Sequence, residues 1–309
     1  MAELEIHEIR SNDISAIFFI NETMASEKWQ SGLEDTESLL CGEHPGVYIG
    51  ELNGKPIATV CFSKYGNAYS HFGFYLVDKK YRGMGYGMKI FSTVFKDINS
   101  SQNISAYSVP NMVEKYEIHG FRAQWLCLQH KLDMPKTLEI LKAIPSNQNG
   151  LTSTKNTNNV HQETLLRYDT AVFGYQRHSF LIKLLHAKGS HVKVAVNSDG
   201  AITGYAVARV AYRQQEGYIL GPLFADSVEA AKVLLAALFE EMLSHGLSSS
   251  SPTAIINCPC STGRNSNSMR LMEQLEGKNT GHHLVYITTK GVPLGLFDKW
   301  FGIASPGIG

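Results

Sequence analysis

One arginine and three glycines directly before a helix form the part of this chain whose residue types and spacing point most directly to chemistry. The stretch YRGMGYGMKIF begins at Tyr81, places Arg82 beside Gly83, Gly85 and Gly87, and runs into an apolar-periodic segment. A helix N-terminus exposes free N–H groups and carries partial positive charge. Glycines let the backbone approach a bound group closely, and arginine adds a cation. The pattern predicts a phosphate or pyrophosphate site, and a glycine-rich turn without a ligand is the alternative.

Two familiar phosphate-binding loops do not fit this stretch. It has no Gly-Lys-Ser/Thr, so it is not the loop of the NTPases. Its spacing is G-x-G-x-G, whereas dinucleotide-binding folds use G-x-G-x-x-G in an opening βαβ unit. Here several strands, predicted from alternating apolar residues, precede the glycines.

The elements needed to position the glycines occur in both halves of the chain. In the first half, a hairpin turned at Asn53-Gly54 and a strand over residues 68–78 precede the glycines, and strand–helix–strand follows the helix. The second half is predicted to contain a helix over about 169–187, a hairpin turned at Asp199-Gly200, and then strand–helix–strand–helix–strand. This shared order indicates an old duplication, or convergence on a common α/β order.

A stretch rich in Asn, Ser and Thr separates the two halves. Residues 145–160, PSNQNGLTSTKNTNNV, contain almost no large apolar side chain, which is typical of a linker. The sequence therefore predicts a first domain over residues 1–145, a linker over 146–160 and a second domain over 161–309.

The motif R-x-x-G-x-G at Arg82 resembles the pyrophosphate loop of the GNAT acetyltransferases. A valine, Val77, stands five residues before the arginine, as in that family, and Y-x-x-x-G-F downstream begins at Tyr116. The resemblance covers the element order of the whole first half. It implies an α/β (α+β) GNAT fold, a mixed, mostly antiparallel twisted sheet flanked by helices, present once in each half.

The resemblance also implies a cosubstrate, acetyl-CoA, and the residues that bind it. The backbone of Tyr75 and Val77 would pair with the pantetheine arm. The pyrophosphate would lie on the N–H groups of the loop, with Met88 at the helix start. The loop residues are Arg82, Gly83, Met84, Gly85, Tyr86 and Gly87.

Direct transfer of an acetyl group to an amine needs no nucleophilic side chain. The amine must lose a proton, the oxyanion needs a hydrogen-bond donor, and the leaving thiolate benefits from a general acid. Tyr116 stands at the family's usual general-acid position, although a tyrosine before Gly-Phe can also simply pack the helix. No cluster of metal ligands is predicted: Cys258 and Cys260 lack the two-residue spacer of zinc and redox pairs.

A histidine on the strand before the loop is the candidate base. By the period of two, His71 would share a face with Gly73, Tyr75 and Val77. Neutral imidazole can relay a proton near pH 7. Arylalkylamine N-acetyltransferases carry two histidines on this strand; His71 matches the first, but Gly73 stands at the second. A strand-edge histidine facing solvent is the alternative.

Acidic residues and a second-half loop complete the set of candidates. Glu22 and Glu27 are weaker candidates for the base. The second-half stretch GPLFADSVEAA has no R-x-x-G-x-G, and Pro222 and Asp226 oppose phosphate binding, so a second CoA site is not expected. This half resembles the degenerate lobe of tandem-GNAT proteins, and we expect it to wall off the acceptor pocket or to complete the sheet. Its basic residues have two interpretations: they bind an acidic group of the acceptor, or they form ion pairs within the lobe. These are Arg177, His178 and Arg209.

Composition restricts the partners and the compartment. The 309 residues carry 28 basic and 28 acidic side chains, which argues against a general binder of nucleic acid or anionic membranes. The N-terminal residues lack the pattern of a signal peptide, and no apolar run is long enough to cross a bilayer. We therefore expect a cytoplasmic protein with no nucleic-acid or membrane partner, and the oligomeric state stays open.

Together these features predict an acetyl-CoA-dependent N-acetyltransferase. It would act on the primary amine of a small molecule, of arylalkylamine, amino acid or polyamine type, by direct attack in a ternary complex. A protein-lysine or N-terminal acetyltransferase and a non-catalytic acyl-CoA-binding module are the alternatives.

Overall fold

The computed structural model of the protein describes residues 3–96, 101–143, 153–246, 251–263 and 266–308. Within these ranges, thirteen strands join in one sheet and helices cover both of its faces. The first-half strands are β1 (Glu5–Glu8), β2 (Val47–Leu52), β3 (Lys55–Tyr65), β4 (Tyr69–Val77), β5 (Asn103–Ser108) and β6 (Arg122–Asp133). The later strands are β7 (Ser153–Lys155), β8 (Ser190–Val196), β9 (Ile202–Val210), β10 (Tyr218–Ala225), β11 (Thr253–Pro259), β12 (Lys278–Thr288) and β13 (Trp300–Gly302).

Nine helices of α type lie within the described ranges, and none of them is long and apolar enough to cross a membrane. The first-half helices are α1 (Ile14–Ser26), α2 (Asp35–Leu40), α3 (Tyr86–Phe95), α4 (Val113–Glu117) and α5 (Met134–Ala143). The later helices are α6 (Gln162–Phe173), α7 (His178–Leu185), α8 (Val228–His245) and α9 (Asn267–Gln274).

The two halves exchange their last long strands. The order across the sheet is β1-β2-β3-β4-β5-β12-β6-β11-β10-β9-β8-β7. Thus β12, from the second half, lies between β5 and β6, and β6, from the first half, lies between β12 and β11. A bare edge of the twelve-residue strand β6 would invite aggregation, and pairing on both sides removes that edge. The predicted halves are therefore recognisable in the chain but are joined in one sheet, which the second half completes.

Alternation along the strands creates two core faces. On one, the shared face, α1, α6 and α7 pack in a core to which both halves contribute, including Tyr69 and Tyr205. On the opposite side of the first half, the loop face, α3 and α4 pack on Phe72 and its neighbours. The side of the second half opposite to the shared face is covered by α8. Two neighbouring strand pairs within the described residues are parallel, β4 with β5 and β10 with β11.

The single helix predicted over 169–187 is wrong. Helix α6 ends at Phe173, Gly174 follows with φ 96°, and α7 begins at His178. A Cβ at Gly174 would overlap the carbonyl group of Leu294, so the backbone approaches a neighbouring loop there. The break brings Arg177 back onto Asp169, with Nη2–Oδ1 at 2.8 Å and both side chains fully buried.

Part of the predicted linker is structured. Residues 144–152 lie outside the described ranges, but β7 pairs with β8 immediately afterwards. Three residues, Ser-Thr-Lys, are too short and too polar to show strand alternation, which is why the sequence did not indicate this strand. Helix α5, which packs on α8, was also not predicted.

A buried ion pair connects the halves near the sheet. Nε of Arg209, on β9, lies 2.7 Å from Oδ1 of Asp35, on α2, and both side chains are almost fully buried. Arg209 also donates to the carbonyls of Gly221 and Ala304. Thus Arg177 pairs within the second half, as one of the two interpretations held, and Arg209 pairs across the halves. Neither guanidinium group is left to meet an acceptor.

We expect Arg209→Ala to lower the free energy of unfolding by about 3–5 kcal/mol, because Asp35 would keep an uncompensated buried charge. The matched control is Lys142→Ala, which removes an exposed ion pair with Glu240. It should change the free energy by less than about 1 kcal/mol. Urea denaturation followed by circular dichroism measures both. Equal stability of the two variants would contradict a structural role for the buried pair.

Candidate functional site

Two parallel strands part in the middle of the first half and leave a gap. β4 and β5 pair only from Tyr69 with Asn103 to Phe72 with Ala106. Beyond that point, β4 continues to Val77 along β3, whereas β5 continues along β12. The backbone groups of β4 that face the gap therefore have no strand partner among the described residues.

A bulge in β4 marks the point of separation. The β3–β4 register shifts between Thr59 and Cys61, and Phe74 has φ 48°, which is rare for an aromatic residue. The extra residue reverses the alternation, so Phe74 and Leu76 lie on the shared face together with Tyr69. The predicted common face of His71, Tyr75 and Val77 is therefore wrong. A strict period of two does not survive a bulge.

Tyr75 and Val77 instead lie on the loop face. The ring of Tyr75 packs on Phe91 of α3, with ring centroids 5.7 Å apart. A Cβ at Gly87 would lie 2.9 Å from Oη of Tyr75 and 3.2 Å from Cγ2 of Val77. Gly87 therefore allows close packing of α3 on β4, and a side chain there would require the hydroxyl end of Tyr75 to shift.

The loop before α3 has the backbone geometry of an anion site. Gly83 and Gly85 have φ of 78° and 84°, and a Cβ at either would meet nothing within 4 Å. Gly85 is the N-cap of α3, and the first hydrogen bond of the helix runs from Lys89 N to Gly85 O, at 3.0 Å. The amides before Lys89 thus have no partner within the helix, and no side chain caps this end of α3.

The other side chains of the loop project around these amides. Met84 and Met88 are exposed, and Tyr86 is half-buried with its ring edge on Tyr81, at 6.3 Å between centroids. The two methionines supply apolar surface at the mouth of the loop.

Arg82 is engaged in contacts of its own. Its Nε donates to the carbonyl oxygen of Val77 at 2.9 Å, and its Nη2 donates to Oε1 of Glu27 at 2.8 Å. Lys79 also contacts that oxygen, at 3.3 Å. Burial raises the pKa of Glu27, but the hydrogen bonds from Arg82 and Lys79 outweigh it and bring the pKa below its usual value. Arg82 therefore fastens the loop to β4 and α1, and its charge is partly neutralised.

The two acidic candidates for the base are both engaged. Glu27 holds the two cations, and Oε1 of Glu22 accepts a hydrogen bond from the hydroxyl of Tyr212, in the second half. Both carboxylates thus already have hydrogen-bond partners within the protein.

Tyr116 lies on the loop face, on the same side as Tyr75. It is buried in α4, and its ring packs edge-on against Phe72 and Phe121, with centroids 5.8 and 5.7 Å away. Burial, with a smaller contribution from Tyr75, raises the pKa of Tyr116 well above the ordinary value. The phenol is therefore fully protonated at neutral pH, as a proton donor must be.

His71 lies on the shared face and is fully buried. Its Nε2 lies 3.0 Å from the carbonyl oxygen of Pro306, and its Nδ1 lies 2.8 Å from Oγ of Ser105. A carbonyl only accepts, so Nε2 carries the proton and Nδ1 accepts from Ser105. Burial lowers the pKa of His71 to about 4, against the opposing hydrogen bond with Pro306, so the ring is neutral at pH 7.

This placement contradicts the interpretation of His71 as a histidine that faces solvent, and it gives both ring nitrogens a hydrogen-bond partner. The ring does not face solvent, and its free lone pair points to Ser105 and not to the gap. Direct uptake of an amine proton by Nε2 would require Pro306 to move away. No local pattern predicted these partners, because Ser105 and Pro306 are 34 and 235 residues distant from His71.

Hydroxyl groups extend the contacts of His71 into the second half. Oγ of Ser105 lies 2.6 Å from Oη of Tyr69, which lies 3.1 Å from Oη of Tyr286 on β12. The exchanged strand therefore supplies the end of a hydrogen-bonded row that begins at the gap.

The second half has an equivalent gap, and its own chain fills it. β10 and β11 pair in parallel from Tyr218 to Leu220, and β13 then pairs with β10 at Leu223 and Phe224. At the following turn, Asp226 accepts from the hydroxyl of Tyr168 and contacts Lys299 at 2.9 Å. The strand edge that is open in β4 is thus covered in β10.

Comparison with known proteins agrees with this geometry. The family model "Acetyltransferase (GNAT) family" matches residues 13–121, and "Acetyltransferase (GNAT) domain" matches residues 165–253. The chain is similar to holothin acyltransferase of Pseudoalteromonas sp. (strain SANK 73390), with 26% identity over 223 residues that cover 70% of this chain and 69% of that protein.

Two solved structures have the same fold. A Pyrococcus horikoshii protein superposes with a TM-score of 0.68 at 16% identity, covering 99% of this chain and 96% of the other. A tandem GNAT protein from the clavulanic acid biosynthesis pathway superposes with a TM-score of 0.65 at 15% identity, covering 94% and 100%.

The chain therefore belongs to the GNAT superfamily and carries two GNAT domains in tandem. It is an acyltransferase of this class, whose members take the acyl group from acyl-CoA.

We expect Gly85→Asp to weaken CoA binding at least tenfold more than Gly85→Asn. Both side chains tolerate positive φ and have the same shape, and open space surrounds this position. Only the carboxylate would repel a bound pyrophosphate. Isothermal titration of both variants with CoA measures the difference. Equal affinity would show that no phosphate lies beside Gly85.

Proposed function

We propose that the protein is an acetyl-CoA-dependent N-acetyltransferase that transfers the acetyl group to the primary amine of a small molecule. The observation that carries this proposal is the contrast between the two gaps. In the first half, the edge of β4 beyond the bulge is open and leads to free amides at the start of α3. In the second half, β13 covers the same edge.

The pantetheine arm is proposed to lie along β4 in the open gap, and the pyrophosphate on the amides of residues 82–88. Tyr75 and Val77 supply the backbone beside the pantetheine arm. The carbonyl of Val77 already accepts a hydrogen bond from Nε of Arg82. This proposal gives the second half no CoA site, because its gap is filled and Asp226 stands at the turn.

The thiol leaves on the loop face, where Tyr116 lies. The unprotonated amine attacks the thioester carbonyl, its nitrogen releases a proton to solvent, and the carbon–sulfur bond of the resulting intermediate breaks. The thiolate takes the proton of the Tyr116 hydroxyl, which solvent then restores. Because the bulge at Phe74 turns a backbone amide out of the regular ladder, this part of β4 is the proposed donor to the oxyanion.

We do not assign the removal of the amine proton to His71, because its Nε2 donates to Pro306 and its lone pair points to Ser105. A small acceptor is supported by the relative that is named for the acylation of holothin. It is also supported by the narrowness of the site on the shared face, where the second half lies directly against β4.

Thiol release from acetyl-CoA in the presence of amines, amino acids and lysine peptides tests the function. Turnover with amines or amino acids supports the proposal. Turnover with peptides alone would show a protein acetyltransferase. CoA binding without turnover on any acceptor would show a binding module and overturn the proposal.

We expect Tyr116→Phe to lower kcat by about 10²-fold with little change in acetyl-CoA affinity, because it removes the proton donor but keeps the ring packing. Tyr48→Phe is the matched control, since Tyr48 is partly buried on the same face, in β2. It should leave kcat unchanged. Steady-state kinetics with the best acceptor give both values. Unchanged kcat in Tyr116→Phe would refute its role as the acid.

A further inference from the structure

After β13 the chain leaves the second half and enters the first. The amide of Ile303 still donates to the carbonyl of Asn257, at 3.0 Å, and the carbonyl of Ala304 accepts from Nη2 of Arg209, at 2.7 Å. From Ser305 onward the contacts are with the first half. Residues 303–305 and 307–308 are buried, so this crossing is part of the packed interior.

Residues 305–308, here called the crossing segment, are held on the shared face of β4 by two side chains. His71 donates from Nε2 to the carbonyl of Pro306, at 3.0 Å. The hydroxyl of Tyr65, on β3, donates to the carbonyl of Ile308, at 2.7 Å. The segment also turns on itself, since Ile308 N donates to Ser305 O at 3.1 Å.

Glycines allow the segment to touch β4 backbone to backbone. A Cβ on Gly73 would lie 2.6 Å from Cα of Gly307 and would overlap its carbonyl oxygen. A Cβ on Gly307 would overlap the ring of Phe74. No side chain fits on either glycine, so the segment lies flush against the bulge.

The bulge is the point at which β4 and β5 part. If the CoA arm enters from the loop face, as proposed above, its thioester must end near the bulge. On that arrangement the amine approaches the carbonyl from the opposite, shared face, where the crossing segment lies against the bulge. Direct attack needs the two reacting atoms within about 3–3.5 Å, so the shape of this contact decides which amine fits.

We propose that the crossing segment is the acceptor-side wall of the first-half site, with His71 and Tyr65 as the positioning residues that hold it. Because Gly307 lies in contact with Gly73 and Phe74, an acceptor has room only beside this contact, and we therefore expect small acceptors. The wall also excludes water from the thioester. This inference rests on the proposed function, and it gives the second half a place at the site.

Hydrolysis of acetyl-CoA in the absence of any amine tests the wall. Water attacks the thioester carbonyl, the carbon–sulfur bond breaks, and acetate, CoA thiol and a proton are released. We expect a chain ended after Ala304, which retains the contact with Arg209, to hydrolyse acetyl-CoA at least tenfold faster than the full chain. It should also accept longer n-alkylamines. Leu294→Ala, an exposed change elsewhere in the second half, should do neither.

His71→Ala separates a positioning role from a base. A positioning role predicts faster hydrolysis of acetyl-CoA in the full chain, and no further effect when the change is made in the chain ended after Ala304. If His71 were the base, His71→Ala would instead slow amine acetylation in both the full chain and the shortened chain, without raising hydrolysis. Tyr65→Phe should also raise hydrolysis in the full chain. Its effect should be weaker than that of His71→Ala, because the ring stays in place and only the hydrogen bond to Ile308 is lost. The two point variants keep the test decisive even if the shortened chain does not fold.

Isothermal titration with CoA distinguishes a failure of the proposed function from a failure of the wall. A full chain that binds no CoA would overturn the proposed function and this inference with it. A full chain and shortened chain that bind CoA equally, with the same hydrolysis rate and the same range of amines, would overturn the wall alone. Loss of amine acetylation in the shortened chain, with hydrolysis unchanged, would also overturn it.

Discussion

The rest of the structure depends on one constraint, the exchange of β6 and β12 between the two halves. Each strand is hydrogen-bonded on both sides, so neither half has a complete sheet without the other. The exchange fixes the register of the halves, because shifting one strand by a single residue would move every one of its side chains to the opposite face. It therefore also fixes where Tyr286 meets Tyr69, and where the chain after β13 crosses to β4.

The same local geometry serves two purposes in the two halves. In both, a parallel pair opens at a disturbance in one strand, at Phe74 in β4 and after Leu220 in β10. In the second half, β13 and the aromatic stack of Trp300 on Phe224 turn the gap into core. In the first half, the gap stays open toward the loop face and the neighbouring half closes its back. The gap between β10 and β11 is thus filled by the chain's own strand, whereas the gap between β4 and β5 remains open and is the proposed site.

Local sequence signals predicted the elements whose cause is local. The turns at Asn53-Gly54 and Asp199-Gly200 and the glycines of the loop are all present as expected, because each depends on the conformation of a few adjacent residues. The superfamily followed from the spacing of Arg82, Gly85 and Gly87. In contrast, the break at Gly174 depends on a contact with a loop 120 residues further on, and no local pattern shows it.

The site was predictable on one face only. On the loop face the candidate site residues all lie between residues 75 and 116, and the motif that they form predicted Tyr116 and the glycines. The shared face is built from His71, Ser105, Tyr286 and Pro306, which meet only through the fold. Regular strand alternation predicted that His71 and Tyr75 share one face of β4, but the bulge at Phe74 places them on opposite faces. A bulge leaves little trace in a single sequence, because an aromatic residue with positive φ is rare.

The exchange of strands has a consequence for the order of events during synthesis. β5 and β6 leave the ribosome long before β12, which must fill the space between them. The first half therefore cannot close its sheet until residue 288 has been made, and for most of translation two strand edges remain unpaired. Pairing between strands that are distant in sequence slows folding, and unpaired strand edges can aggregate with other newly made chains. The arrangement that unites the two halves in the finished molecule thus leaves strand edges of the growing chain unpaired until late in its synthesis.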